Sequence, residues 1–167
     1  FCLNTLVTVV RELVDNALKA NAKRMFFETQ KLSIEDEDQY RQGMDLFSEK
    51  MKDKDQFLAG MLSSSHYYVE IGFSWQKRDL TITIENNVPL HSDELKRIRY
   101  RVDRVKDAEN LMEIYNDLRD HAEGGGLGIA LSLFLLKSIG MSTDHFDIQS
   151  GNGKTVVTLR IPHELKK

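Results

Sequence analysis

Residues 11–20 read Arg11-Glu12-Leu13-Val14-Asp15-Asn16-Ala17-Leu18-Lys19-Ala20, and the fold is read outward from them. Around this stretch apolar residues fall at Leu3, Leu6, Val7, Val10, Leu13, Val14, Ala17 and Leu18. That spacing predicts a helix from Leu3 to Ala22 with one polar side. Glu12, Asn16, Lys19 and Lys23 recur at steps of four, three and four, so they project from that side together, with Asp15 beside them. A carboxylate, a carboxamide and an ammonium in one row suit a metal-bound polyphosphate. The amide oxygen is a hard donor for magnesium, lysine offsets phosphate charge, and a carboxylate orients water. The same row also fits an ordinary solvated face, with Glu12 and Asn16 as a helical side-chain pair.

Downstream, Arg24 to Glu28 reads as a short strand. Residues 30–66 are strongly charged, with apolar positions at Tyr40, Met44, Phe47, Met51, Leu58, Met61 and Leu62. This predicts a helical insertion packed on the domain, a partner-binding coiled coil being the other reading. Two strand-like runs follow, Tyr67 to Trp75 and Leu80 to Glu85, with Trp75 read as a packing residue. In the second run Leu80, Ile82 and Ile84 alternate with Thr81, Thr83 and Glu85, as in a half-buried antiparallel strand. Ser92 is the predicted cap of the next helix, with Asp93 and Glu94 in its first turn. Helical spacing continues to about His121 with a break near Lys106-Asp107, and the segment at about 88–127 reads as a lid.

Glu123-Gly124-Gly125-Gly126-Leu127-Gly128 then opens an apolar helix, Ile129 to Ile139, closed by Gly140. Bare N–H groups at a helix start can meet an anion. The glycines do not follow a parallel strand in a βαβ unit, which argues against a Rossmann site. Gly153-Lys154-Thr155 mimics the end of a P-loop, but Ile148 stands where its first glycine belongs and a strand follows. Asp144 to Gln149 and Thr155 to Ile161 read as strands flanking a Ser150-Gly151-Asn152-Gly153 turn. The order of elements predicts an α+β fold over residues 1–167: a two-layer α/β sandwich whose mixed, mostly antiparallel sheet carries helices on one face.

Composition bounds the partners. The formal net charge is −3, which leaves no global basic field for nucleic acid or a membrane surface. Leu127 to Leu136, the longest strongly apolar run, is too short to span a bilayer, and no signal-peptide pattern is visible. The single cysteine, Cys2, cannot form an internal disulfide, which fits a cytoplasmic setting. The chain opens on Phe1 inside a helical pattern, so it reads as a fragment of a longer protein. His66, His91, His121, His145 and His163 lack metal-ligand spacing. The six cations from Lys96 to Lys106 suit a phosphate clamp or an acidic partner, and equally a solvated helix face.

Three of these stretches resemble one family. Glu12 to Ala20 looks like the N box of the GHKL ATP-binding proteins, which include histidine kinases, gyrase and MutL. Glu123 to Leu131 resembles their second glycine box. Gly151 to Pro162 is similar to the closing hairpin of histidine kinases, with Lys154 intervening between the glycine and Thr155. The resemblance implies a Bergerat fold that binds ATP and magnesium. By it, Asn16 would ligate Mg2+, Lys19 would approach the phosphates, and Gly124, Gly126 and Gly128, with Leu127 between them, would frame them. Glu12 matches the general-base position of gyrase-like, MutL-like and anti-sigma kinase members. Glu85-Asn86-Asn87-Val88-Pro89 stands in place of the first glycine box, with Glu85 at the position that receives the adenine amino group and Asn87 at a glycine; Thr155 belongs to the closing hairpin. The implied function is the ATP/Mg2+-binding catalytic domain of a signalling kinase, with a protein signalling partner or an upstream domain. A nucleotide-sensing or partner-binding module without catalysis, and an ATPase that dimerises on ATP, are the alternatives.

Overall fold

A computed structural model of the chain describes residues 2–53, 57–59, 66–77, 79–114 and 127–163. Helix α1 (Cys2–Gln30) and α2 (Glu37–Lys50) come first, followed by a short 3-10 turn, Met51–Asp53. Strands β1 (Val69–Gln76) and β2 (Asp79–Asn86) lead to α3 (Ser92–Asp107) and α4 (Leu127–Ser138). A 3-10 turn (Thr143–His145), β3 (Phe146–Gly151) and β4 (Lys154–Ile161) complete the order. The fold is α+β, with its helices on one face of a four-stranded sheet of order β1-β2-β4-β3, and every described pairing is antiparallel.

Register shows which face is covered. Ile82 pairs with Leu159 and Ile84 with Val157, while Phe146 and Ile148 meet the same two β4 residues from the other side. These residues pack against Val9, Leu13 and Ala17 of α1, Ile98 and Val105 of α3, and Ala130, Leu133 and Leu136 of α4. The opposite face carries Thr81, Thr83, Glu85, Lys154 and Asp147 and is polar, as strand alternation requires. The helical layer stops short of the edge strand. Ile71, Phe73 and Trp75 stand on the core side of β1 yet stay exposed, Trp75 at 71%, so the expected packing of Trp75 is not found.

The strand expected at Arg24–Glu28 is instead the last third of α1. Nothing between Ala22 and Gln30 breaks a helix, and Arg24 to Glu28 contains no β-branched residue. Phe26 and Phe27 find their burial in a second cluster with Ala22, Phe47 and Leu58, against α2. An apolar pair in a short run fits a strand or a helix, and here the partner helix decides. The helix then stops at a Schellman motif: Lys31 takes φ 55°, Leu32 N–H donates to Phe27 O (2.9 Å) and Lys31 N–H to Glu28 O (3.1 Å).

The other local signals give what their chemistry demands. Gly140 (φ 86°) ends α4 with the same pair of bonds, from Met141 N–H to Leu136 O and from Gly140 N–H to Lys137 O. Asn152 and Gly153 both have positive φ in the two-residue β3–β4 loop, the type I′ pattern. The cap of α3 is His91, one residue before the predicted Ser92: its Nδ1 accepts from Asp93 N–H at 3.4 Å, and Glu94 accepts from His91 N–H at 3.2 Å. The helix ends at Asp107, where the sequence places its break, and a separate helical turn covers 111–114. No described helix is long and apolar enough to cross a membrane.

Candidate functional site

Glu12, Asn16, Lys19 and Lys23 line the side of α1 next to its buried Val9-Leu13-Ala17 stripe, and all four are half-buried. Asn16 Nδ2 donates to Glu12 Oε1 at 3.4 Å, which turns Asn16 Oδ1 away from the carboxylate. At the near end of α4, Gly128 touches Glu12: a Cβ on Gly128 would sit 2.9 Å from Glu12 Cδ and overlap the carboxylate oxygen. A side chain at Gly128 would push the flexible end of Glu12 away from the α4 start. A carboxylate is favoured there, because the first turn of a helix carries positive partial charge.

Two further contacts close a triangle of helices. Lys23 of α1 is ion-paired to Glu94 of α3. Lys137 of α4 donates from Nζ to Val105 O, Lys106 O and Ala108 O at 3.2, 2.9 and 2.7 Å, satisfying the carbonyls at the α3 C-terminus. With the Gly128–Glu12 contact, each pair of helices is joined at one corner. At roughly 1.5 Å per residue the sides run about 16 Å along α1, about 21 Å along α3 and about 14 Å along α4.

Glu94 carries the first corner electrostatically. Burial pushes its carboxyl up, but the Lys23 ammonium and the His91 N–H bond outweigh this and hold it below the usual carboxylate range. A carboxyl lowered in the folded state stabilises above its unfolded pKa, and that stabilisation is lost as pH falls through the folded value. Glu94→Gln should therefore lower the urea midpoint at pH 7 and flatten its decline below about pH 4.5, near the unfolded carboxylate value. An acid limb identical to that of the wild type would show that the Lys23–Glu94 pair adds no stability.

The loop after β2 is held from below by buried polar groups. Asn21 Nδ2 donates to Tyr68 O (2.8 Å), and Asn86 Nδ2 donates to Asn21 Oδ1 (3.0 Å) and Val88 O (3.3 Å). The two carbonyl acceptors fix both carboxamide orientations. Thr155 Oγ1 donates to Val88 O at 2.7 Å, and Leu90 N–H donates to Ser150 Oγ at 2.8 Å. Asn87 accepts from Tyr68 N–H (2.9 Å) and donates to His66 O (3.0 Å), extending the β1–β2 ladder by one side chain. No residue of 86–90 has positive φ, so this loop does without the glycine conformation.

The sequence-predicted residues thus divide. Glu12, Asn16 and Gly128 share the α1–α4 corner, and Lys19 lies two turns further along the same side of α1. Glu85 lies on the opposite face of the sheet, where it accepts from Lys154 Nζ (2.8 Å) and Tyr68 Oη (3.3 Å). The Lys154 hydrogen bond holds its carboxyl below the usual range. Asn87 and Thr155 are committed to the loop framework. Leu127 opens α4, while Gly124, Gly126 and the rest of the lid from 115 onward lie outside the described residues. Two inward residues were not singled out from sequence, Asn21 and Asn86. Both were legible in the periods: Asn21 continues Leu13-Ala17 at steps of four, and Asn86 continues Ile82-Ile84 at steps of two.

No family model matches the chain. Over 161 residues it is 27% identical to an uncharacterized protein of Treponema pallidum (strain Nichols), a match that covers 96% of this chain and 31% of that protein. The chain therefore spans about a third of the length of this relative.

Proposed function

We propose that the helix triangle binds a magnesium-chelated nucleoside triphosphate, ATP in the reading that the GHKL resemblance favours. One observation carries it: the Glu12 carboxylate, hydrogen-bonded by Asn16 on the side of α1 that also carries Lys19, rests against the first turn of α4 at Gly128. The donor set fits the ligand. Asn16 Oδ1 offers a hard oxygen to magnesium, Lys19 offers charge to phosphate, and backbone N–H groups at the α4 start suit an anion. Bound magnesium would offset charge on the phosphate chain. On this reading Glu12 would take a proton from a water or an acceptor hydroxyl. In this reading the chain is the nucleotide-binding part of a signalling kinase, and the phosphoacceptor is another protein or another segment.

The loop 86–90 favours a second reading, a module that senses nucleotide or binds a partner without phosphate transfer. Its side chains are tied down, and Glu85 faces away from the triangle. Asn86 lies on the helix side of the sheet, and with its Nδ2 committed to Asn21 and Val88 its Oδ1 is the acceptor it offers. Asn86, rather than Glu85, is then the residue to receive an exocyclic amino group.

Calorimetric titration with ATP, with and without magnesium, tests the site. The wild type should bind in a magnesium-dependent manner, and Asn16→Ala should weaken that binding by about tenfold or more. Absence of heat at millimolar ATP, at two temperatures and in a folded sample, would remove the nucleotide reading. Transfer of phosphate to a partner protein would then separate the kinase from the sensing module.

A further inference from the structure

Arg101 is the buried charge that the contacts above leave unexplained. It is 8% exposed and sits in the inward row of α3 between Ile98 and Val105. Among the described residues no carboxylate pairs with it. Burial first, and then the like charge of Arg97, push its guanidinium below the ordinary arginine value. A guanidinium taken out of water without a counter-charge is costly, and the cost is offset when an anion supplies that charge.

Its position says where the anion would be. Glu94, Arg97, Arg101 and Arg104 recur at steps of three, four and three, so they share one side of α3. Glu94 of that row is ion-paired to Lys23, which shares its side of α1 with Glu12, Asn16 and Lys19. The two rows therefore converge at the Lys23–Glu94 corner. Arg101 lies midway along α3, two turns from the Glu94 corner and two from the Lys137 corner.

We infer that Arg101 is a phosphate-chain ligand, closing the anion site from α3 while α1 and the start of α4 hold it from the other two sides. The assignment rests on the nucleotide reading, and it adds a third wall to it. The planar fork of arginine suits two phosphate oxygens at once, which a point-charge ammonium does not. The competing role is a packing one, in which only the alkyl stem of Arg101 matters.

Arg101→Met and Arg101→Lys keep that stem and separate the two roles. Affinities for magnesium-ATP and for inorganic tripolyphosphate are measured by calorimetry, and melting temperature is measured without ligand. Arg101→Met should weaken both ligands by about ten- to a hundredfold, the range for losing charge-assisted hydrogen bonds. Its melting temperature should stay the same or rise, because a buried uncompensated charge has gone. Arg101→Lys should recover part of the affinity, whereas a packing role would leave Lys and Met alike. If the wild type binds ATP and Arg101→Met binds it equally well, the Arg101 assignment is overturned and the nucleotide site stands. Binding of tripolyphosphate but not ATP, weakened by Arg101→Met, would overturn the nucleotide reading and keep the anion site. A wild type that binds neither overturns both. Should Arg101→Met fail to fold, Arg101→Lys and Arg101→Gln carry the same comparison, and unchanged affinity in a folded variant overturns the assignment.

Discussion

Asn21→Leu is expected to lower the unfolding free energy by about 3 kcal/mol, although leucine matches asparagine closely in size. Asn21 is fully buried and bridges α1 to the sheet through Tyr68 O and Asn86 Nδ2. The substitution leaves the part-buried Tyr68 carbonyl without its donor and removes one of two acceptors from the buried Asn86 amide. Each such loss costs about 1–3 kcal/mol, more than a formed hydrogen bond contributes, because the orphaned group stays out of water. Urea unfolding at constant m-value measures it. The double variant Asn21→Leu/Asn86→Leu should recover part of the loss, since removing both partners leaves fewer orphans. A single-variant change below about 0.5 kcal/mol would mean that the carbonyl of Tyr68 regains water and that the network is not a buried one.

The second large effect is at the aromatic cluster between α1 and α2. Phe27 is 1% exposed, and its ring contacts Tyr40 at 5.8 Å and Phe26 at 6.3 Å between centroids. Phe27→Ala should cost about 4 kcal/mol through lost transfer energy and the cavity left behind. Gly43 of α2 lies directly over that ring, and a Cβ there would come within 2.6 Å of Phe27 Cε1. An aromatic ring in a packed core cannot yield as the tip of Glu12 can at Gly128. Gly43→Ala should therefore destabilise by about 2 kcal/mol, even though alanine is the better helix former by about 1 kcal/mol. In the Phe27→Ala background the same change should turn neutral or stabilising. A Gly43→Ala variant as stable as the wild type would show that α2 does not sit on α1 at this distance.

These two sites also mark where sequence reading succeeds and stops. The helical period of α1 predicts the shared side of Glu12, Asn16, Lys19 and Lys23, because periodicity depends only on neighbours along the chain. Gly140 as a C-terminal cap and Asn152-Gly153 as a hairpin loop are legible for the same reason: positive φ selects those residues locally. The alternation in β2 already sends Glu85 outward and Asn86 inward. Assigning Glu85 to a nucleotide follows motif order instead, and the structure sets Glu85 on the polar face of the sheet, since a one-residue step along a strand changes its face.

What the sequence determined by itself is the set of local periods, caps and turns, and with them the α+β class and the polar row on α1. Tertiary structure alone decided the rest. Whether Arg24–Glu28 is strand or helix depended on α2 arriving to bury Phe26 and Phe27. Whether Glu12 meets a helix start depended on Gly128 reaching it from a distant part of the chain. That Arg101 is buried while its neighbours Arg99 and Arg104 are exposed depended on how α3 rotates onto the core. Local geometry lists the faces an element can offer; contacts between distant segments choose which face leaves water.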